Sequence, residues 1–180
     1  MKQANIKFTY QDYLLLSDEK RYEILEGDLC MVPAPEVYHQ RVSRKLEVAL
    51  IEHVERYDLG EILHAPCDVV LSRENIVQPD VLFVSKDRLG IIGKANIQGP
   101  PDLVIEIVSE STRSKDADIK RKLYAKYGVR EYWIVDPAAK TVEVVTWSET
   151  GYVTAGVYPH TATLSSPELP NLKLSLSRIF

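Results

Sequence analysis

Residues 103–108 read Leu-Val-Ile-Glu-Ile-Val, an apolar run with a single carboxylate, and no other segment restricts the fold as strongly. An apolar run of this length, preceded by the chain-breaking sequence Gly99-Pro100-Pro101, is typical of a buried central strand. Glu106 is the exception in the run. An unpaired carboxylate among apolar neighbours is costly to bury, so Glu106 requires a cation or a hydrogen-bond donor nearby.

The rest of the chain predicts alternating helices and strands. Apolar residues at helical spacing predict helices at residues 9–16, 38–57 and 116–127, the last ending at Gly128. Alternating and apolar runs predict a hairpin at 22–32, an antiparallel pair at 61–71 and 76–84, and strands at 131–135 and 141–147. The remaining chain, which ends in residues 172–180, predicts further short strands or a closing helix. This order predicts a mixed β-sheet flanked by helices, of the α/β (α+β) class, in one domain spanning residues 1–180.

Composition limits the classes of protein to consider. The 22 basic residues against 26 acidic residues give a formal charge of −4, which counts against strong nonspecific DNA binding but not against a local basic face. Cys30 and Cys67 lie far apart and predict two buried thiols rather than a disulfide or a zinc site. The N-terminal segment has no sustained apolar region, and no stretch approaches the ~20 apolar residues that span a bilayer. We therefore expect a cytoplasmic protein with no membrane contact.

Two carboxylates are candidates for a shared metal ion. Asp80 follows Pro79, which prevents one ladder hydrogen bond and predicts an edge or a bulge that aims Asp80 at a site. Asp80 and Glu106 offer the oxygen ligands that suit Mg²⁺ or Mn²⁺. Such an ion activates a water molecule and neutralises charge on a scissile phosphate, which favours phosphodiester hydrolysis. The alternatives are a locally bonded carboxylate for Asp80 and a buried ion pair without chemistry for Glu106.

Several short motifs resemble, in order and spacing, the PD-(D/E)xK nucleases, and more narrowly the Uma-type restriction endonuclease family. The resemblance covers roughly residues 10–147, with a weaker echo at 169–180. The motifs that carry it are Tyr22-Glu23-Ile24, His39-Gln40, Val77-Gln78-Pro79-Asp80, Pro101-Asp102-Leu103-Val104-Ile105-Glu106-Ile107, Lys120, Leu123-Tyr124-Ala125 and Glu131-Tyr132-Trp133-Ile134-Val135-Asp136-Pro137.

The resemblance implies a restriction-endonuclease-like fold and Mg²⁺-dependent (or Mn²⁺-dependent) hydrolysis of nucleic acid, with DNA as the expected substrate. In the usual pattern a lysine stands two residues after the acidic residue, whereas this chain has Val108 there. The resemblance places the lysine on the following helix, at Lys120, where Asp116, Lys120 and Tyr124 share one helix face. The implied site comprises catalytic Asp80, Glu106, Lys120 and Glu23, metal ligands Asp80 and Glu106, and substrate contacts His39 and Gln40.

Two other functions compete with the nuclease. A noncatalytic interaction scaffold that retains the nuclease fold is favoured by the acidic net charge and by Val108. A metal-dependent hydrolase of small phosphate esters would tolerate the acidic surface better than a DNA enzyme. Metal binding through Asp80 and Glu106 separates the enzymes from the scaffold. A nuclease that cuts both strands needs two sites, so we also expect a homodimer.

Overall fold

The structure is a computed structural model, which describes residues 6–16, 20–109 and 113–180. The side chains of residues 113–117, including Asp116 of the predicted helix face, lie outside the described part. All three predicted helices are present, and the first is shorter than predicted. The helices are α1 (Tyr10–Tyr13), α2 (Val37–Tyr57) and α3 (Arg113–Tyr127), with short 3-10 helices at Lys86–Ile91 and Leu176–Arg178.

The strands form two larger sheets and one short ladder. The six-stranded sheet contains, in spatial order, β11 (Gly151–Pro159), β10 (Thr141–Ser148), β9 (Glu131–Asp136), β8 (Leu103–Ile107), β6 (Val81–Ser85) and β3 (Gly60–His64). The five-stranded sheet contains β2 (Asp28–Val32), β1 (Arg21–Leu25), β5 (Asn75–Val77), β4 (Val69–Ser72) and β7 (Ile97–Gln98). The ladder joins β12 (Thr163–Leu164) to β13 (Leu174–Ser175). Because β8 is parallel to β9 and antiparallel to β6, the large sheet is mixed, as predicted.

Strand β8 occupies the interior of the six-stranded sheet and separates two cores. Leu103, Ile105 and Ile107 pack in the core that contains the buried face of α2. Val104 packs on the opposite face, in the core that contains residues of α3. Since side chains alternate along a strand, Glu106 lies on the same face as Val104 and points towards α3. The alternation thus directs the one carboxylate of the strand away from α2.

The predicted antiparallel pairing of residues 61–71 with residues 76–84 is confirmed, but the pair is divided between the two sheets. Each segment is interrupted: the first forms β3 and β4, and the second forms β5 and β6. Strand β3 pairs with β6 in the six-stranded sheet, whereas β4 pairs with β5 in the five-stranded sheet. Pro66 and Pro79 lie in the interruptions, and neither has an N–H group to continue a ladder. The chain therefore passes between the two sheets at both prolines.

Helix α2 follows its predicted course closely. It begins at Val37, one residue before the predicted start, and its buried residues recur at helical spacing: Val42, Leu46, Leu50 and Val54. Asp58 ends the helix in the left-handed conformation, with a φ of 52°. The polar face of α2 remains available to line a cleft, since only one stripe is needed for the core.

Helix α3 is the crossover between the parallel strands β8 and β9. Such strands cannot be joined by a tight turn, so the connection crosses the sheet and packs on it. Leu123 and Tyr124 are buried in the core beneath the helix. The helix ends at Tyr127, and Gly128 adopts a φ of 76°, as predicted for a residue that terminates a helix.

The C-terminal segment completes the core on the α2 side. Residues 172–180 form the short strand β13 and a 3-10 helix, consistent with the predicted short elements. Apolar residues of this region pack in the α2 core: Leu164, Leu169, Leu172, Leu174, Leu176 and Ile179. Cys30 and Cys67 are half-buried, not fully buried as predicted. No helix in the described ranges has an apolar run of membrane-spanning length.

Candidate active site

The site lies where the chain passes from the five-stranded sheet to the six-stranded sheet. Strand β5 ends at Val77, and Gln78, Pro79 and Asp80 connect it to β6. The sequence predicted Asp80 within a strand, but it lies in this interruption. Because Pro79 has no N–H group, the ladder of β5 does not continue, and Asp80 is placed at the boundary of both sheets.

Both carboxylate oxygens of Asp80 have partners. Oδ2 accepts a hydrogen bond from the backbone N–H of Ile107, at 2.8 Å. Oδ1 lies 2.9 Å from Nε2 of His39, near the start of α2. A carboxylate can only accept hydrogen bonds, so this contact requires a proton on Nε2. His39 therefore contacts the site through Asp80.

Glu106 is bound by two donors from α3. Its Oε1 accepts a hydrogen bond from the Tyr124 hydroxyl at 2.6 Å and one from Lys120 Nζ at 3.1 Å. Lys120 and Tyr124 are four residues apart, so they lie on the same face of the helix. Glu106 is 7% exposed, and it points at this helix because it lies on the same face of β8 as Val104.

Lys120 is buried among carboxylates rather than exposed to solvent. Its Nζ lies 2.9 Å from Glu23 Oε1 and 3.1 Å from Glu106 Oε1, and the residue is only 4% exposed. Val108, at the usual position of the lysine, is buried, and its backbone N–H donates to Val135. Helix α3 thus brings an ammonium group to Glu106 that strand β8 does not supply.

Glu23 reaches the site from the other sheet. It lies on β1, and its Oε1 accepts hydrogen bonds from Lys120 Nζ and from the backbone N–H of Gln78 at 2.8 Å. The Gln78 amide lies in the same inter-sheet connection that carries Asp80. Residues of four elements therefore converge, and they include all four residues that the sequence predicted to be catalytic: Glu23, Asp80, Glu106 and Lys120.

Negative charge is in excess at the centre of the site. Burial raises the pKa of Glu106 to about 8, against the opposing effect of Lys120, and the charges of Glu23 and Asp80 raise it further. The pKa of Tyr124 is also raised well above its usual value, by burial first and then by the charge of Glu106. Displaced pKa values of this kind are typical of functional sites, because they reflect charge that a ligand compensates.

The site opens into a large cleft between the β1–β2 hairpin and α2. The cleft has a volume of about 1300 Å³, and its lining includes Glu23, His39, Asp80, Glu106 and Lys120. Gln40 also lines the cleft, where it is exposed, and its side chain has no hydrogen bond to the described residues. A volume above that of most small-molecule pockets suits an extended ligand.

The oxygen ligands suit a hard divalent cation. Asp80 directly precedes β6, whose first residue Val81 pairs with Ile105 of β8, next to Glu106, and the surplus of carboxylates favours bound positive charge. No three His, Cys, Asp or Glu side chains in the described ranges form a closed metal cage. Mg²⁺ in phosphoryl-transfer sites needs no such cage, since one or two carboxylates hold it with water and substrate phosphate.

Two groups contact the predicted ligands although the sequence predicted no role for them: the Tyr124 hydroxyl and the Ile107 N–H. Tyr124 was placed on the face of Lys120, and its position four residues later is the signal that could have revealed the contact with Glu106. The backbone N–H of Ile107 orients Asp80. No sequence signal could have revealed this contact, because every residue except proline carries such a group.

Most of the chain matches one known protein family. The model of the Uma2 family, described as "Putative restriction endonuclease", matches residues 9–177, which extends beyond the resemblance noted at residues 10–147. No curated protein matches the chain.

A solved structure has a similar fold. It is described as a "putative nuclease belonging to DUF820" from Anabaena variabilis ATCC 29413. The TM-score is 0.80 at 20% sequence identity, and the superposition covers 96% of this chain and 97% of the other. At this identity the similarity establishes a shared fold over nearly the whole length of both chains.

Proposed function

The chain belongs to the Uma2 family, and from this premise we propose that it is a Mg²⁺-dependent endonuclease that hydrolyses phosphodiester bonds of DNA. The observation that carries the proposal is the convergence of Asp80, Glu106 and Lys120, which come from separate parts of the fold, in the lining of one large cleft. A structural ion pair needs only one carboxylate for one ammonium. The additional carboxylates favour a cation as a further component.

In this proposal Asp80 and Glu106 hold Mg²⁺, or Mn²⁺ in its place. When bound, the ion stabilises charge on the phosphate and lowers the pKa of a bound water molecule. Asp80 is held for this role by His39 and by the Ile107 N–H, which direct its two oxygens. The fixed carboxylate needs little reorganisation when the substrate arrives.

Lys120 is the residue that we propose to orient the attacking water. Its ammonium is fixed by hydrogen bonds to Glu23 and Glu106 on opposite sides, so its position is defined before substrate binds. Glu23 assists by holding the lysine, and the Gln78 N–H in turn holds Glu23. Correct placement of a water molecule and a phosphorus atom accounts for a large part of catalysis in phosphoryl transfer.

The first test is cleavage of supercoiled plasmid by purified protein in Mg²⁺, in Mn²⁺ and in chelator. We expect metal-dependent nicking by the parent, and a loss of about a thousandfold or more in Asp80→Asn and Lys120→Met, because each removes an essential charge. All variants are purified identically, so a contaminating nuclease would act in every preparation. Arg178→Gln, an exposed change near the C-terminus, serves as the matched control.

The alternative is a noncatalytic scaffold in which Lys120, Glu23 and Glu106 form a structural ion-pair network. Absence of cleavage in every metal, together with no heat of Mn²⁺ binding by calorimetry, would favour the scaffold and reject the enzyme. Mn²⁺ binding that depends on Asp80, with hydrolysis of small diesters but not of plasmid, would instead indicate a small-ester hydrolase.

We further propose that the active form is a homodimer, since cleavage of both strands of a duplex takes two sites and paired copies are the commonest oligomer. Sedimentation of the protein with and without duplex DNA tests this. A monomer in both conditions that still linearises plasmid in a single binding event would contradict it.

A further inference from the structure

Three arginines line the same cleft as the candidate active site. Arg21 lies on β1, and Arg41 and Arg44 lie on α2. In the part of the chain that the structure describes, none of the three has an ion-pair partner. By contrast, Arg121 pairs with Glu143, at 3.0 Å, on the surface away from the cleft. Within the described residues, these three guanidinium groups are therefore not engaged by a carboxylate of the protein.

Arg21 is oriented by a neutral group. Its Nε donates a hydrogen bond to Gln78 Oε1 at 2.8 Å. Gln78 is fixed in turn, because its Nε2 donates to Asp68 at 2.7 Å and to the Tyr13 hydroxyl at 3.1 Å. An amide holds the guanidinium in place without cancelling its charge. Such an arrangement prepares an arginine for an anionic ligand from outside the chain.

The position of Arg21 relative to the site follows from strand geometry. It lies two residues before Glu23 on β1, so both side chains project from the same face of the strand. Two residues along a strand correspond to about 7 Å. The Arg21 guanidinium therefore lies beside the proposed catalytic centre. Its distance from that centre is of the same order as the distance between neighbouring phosphates of a nucleic-acid strand.

Arg41 and Arg44 form the opposite wall. They are three residues apart in the early turns of α2, so they share one side of the helix, and both are exposed. The same part of α2 carries His39, which contacts Asp80. The carboxylate site thus lies between a single arginine on the hairpin side and a pair of arginines on the helix side.

We propose that Arg21, Arg41 and Arg44 form a clamp for a phosphodiester backbone, in which they bind phosphates on both sides of the one held at the carboxylate site. This clamp rests on the proposed nuclease function and narrows it: the substrate is a polymer rather than a small phosphate ester. Guanidinium groups suit this role because they bind phosphate with two parallel hydrogen bonds. A small ester reaches the carboxylates without contacting the clamp.

The acidic net charge does not oppose this proposal, because binding depends on the local arrangement of charge. Four further carboxylates line the rim of the cleft. Asp28 pairs with Lys7 at 3.1 Å, and Glu47 contacts His64 at 3.4 Å. Glu26 and Glu36 remain exposed at the rim. Repulsion between these carboxylates and the phosphates of a nucleic acid disfavours binding anywhere in the cleft except along the three arginines.

The test is binding of a fluorescent DNA duplex, measured by anisotropy in chelator at several salt concentrations, so that no hydrolysis occurs. We expect each of Arg21→Gln, Arg41→Gln and Arg44→Gln to weaken binding about tenfold and to reduce the salt slope by about 1. The matched control is Arg56→Gln, an exposed arginine in the last turn of the same helix and outside the cleft. It should bind as the parent does.

Two further measurements separate the clamp from the catalytic proposal. The glutamine variants should hydrolyse bis(p-nitrophenyl) phosphate in Mn²⁺ as the parent does, because that ester is too small to span the cleft. Arg21→Lys keeps the charge but loses the fork held by Gln78, so we expect weaker binding with an unchanged salt slope.

The clamp is overturned if the parent does not bind duplex in chelator, or if the cleft variants lose no more affinity than Arg56→Gln. If instead the parent hydrolyses neither plasmid nor the small diester, the nuclease proposal fails. The anisotropy comparison still decides whether the arginines bind a phosphodiester backbone, so the two failures are distinguishable.

Discussion

Asp102 and Glu106 are two buried carboxylates at opposite ends of the same strand, and their surroundings differ in charge. Asp102 is fully buried and receives the guanidinium of Arg88 at 2.8 Å and that of Arg130 at 3.4 Å, together with the Ser85 N–H at 2.8 Å. Glu168 also contacts Arg130, at 3.6 Å, so two guanidinium groups balance two carboxylates there. Glu106 shares one ammonium with Glu23 and lies near Asp80, so negative groups are in excess.

This difference shows that burial of a carboxylate does not by itself identify a functional site. Asp102 has enough donors to be stable without a ligand, which is the condition for a structural role. Glu106 and its neighbours have more acceptors than donors, and a cation from outside would restore the balance.

The largest expected effect is that of Glu106→Gln on catalysis. We expect plasmid cleavage to fall by about a thousandfold or more, because an amide is a poor ligand for a hard cation. The variant should remain folded, with a thermal midpoint at pH 8 no lower than the parent's, since ionised Glu106 opposes folding there. Cleavage assays and thermal melts measure both quantities. Retained cleavage would place Glu106 in the same structural class as Asp102.

Metal affinity should depend strongly on pH. The pKa of Glu106 is raised to about 8, so near neutral pH the metal-free carboxyl is largely protonated, and metal binding must release the proton. Affinity for Mn²⁺ therefore rises with pH and reaches a plateau above 8, with an increase of about fiftyfold between pH 6 and pH 8. Calorimetry in buffers of different ionisation enthalpy measures affinity and proton release together.

Ionisation of Glu106 also makes the stability of the folded protein depend on pH. The pKa of Glu106 is higher in the folded protein than in the unfolded chain. Its contribution to the free energy of unfolding is therefore fully present below the unfolded pKa and is lost as the pH rises through about 8.

The pH dependence of Mn²⁺ binding has its own control variants. Asp102→Asn should retain this dependence, whereas Glu106→Gln should lose it. A pH dependence that persists in Glu106→Gln would assign the proton to another group.

Asp102→Asn should affect stability rather than chemistry. It leaves Arg88 without its carboxylate and Arg130 with Glu168 alone, and we expect a loss of about 2 kcal/mol in the free energy of unfolding. This lies below the full range for a broken buried pair because Arg130 is half exposed and can be hydrated. Urea unfolding measures the loss, and metal-dependent cleavage per folded molecule should match the parent's.

The smallest effect is expected for Tyr124→Phe. The change removes the hydroxyl that donates to Glu106 Oε1, while the ring keeps its edge contact with Tyr132 at 5.2 Å between centroids. Glu106 is then held by Lys120 alone. We expect Mn²⁺ affinity to fall about tenfold, the lower end of the range for residues that orient a ligand. Unchanged affinity in calorimetry would show that Lys120 suffices to orient Glu106.

Much of the local structure could be predicted from the sequence. The start of α2 was predicted within one residue, because its apolar spacing and the preceding proline act over a few positions. The hairpin was also predicted, and its two turn residues are Glu26 and Gly27, with φ values of 52° and 82°. The candidate carboxylates could be identified as misfits in apolar runs.

The division of strands between two sheets was not predicted from local patterns. The predicted antiparallel pair at 61–71 and 76–84 is present, but it forms four strands in two sheets, because proline interrupts each segment. The nine-residue strand β11 was expected only as part of a series of short strands, since its residues are mostly exposed and lack a strong alternation.

Residue types and local patterns indicated which residues could carry chemistry and, except for Asp80, the kind of element on which each one lies. Only the tertiary structure decided that Glu23 of one sheet and Glu106 of the other share the ammonium of Lys120. The physical reason is that charge compensation falls off with distance in space, and distance in space is set by packing of the sheets and α3. A sequence records each charge, but the fold decides which charges remain in excess.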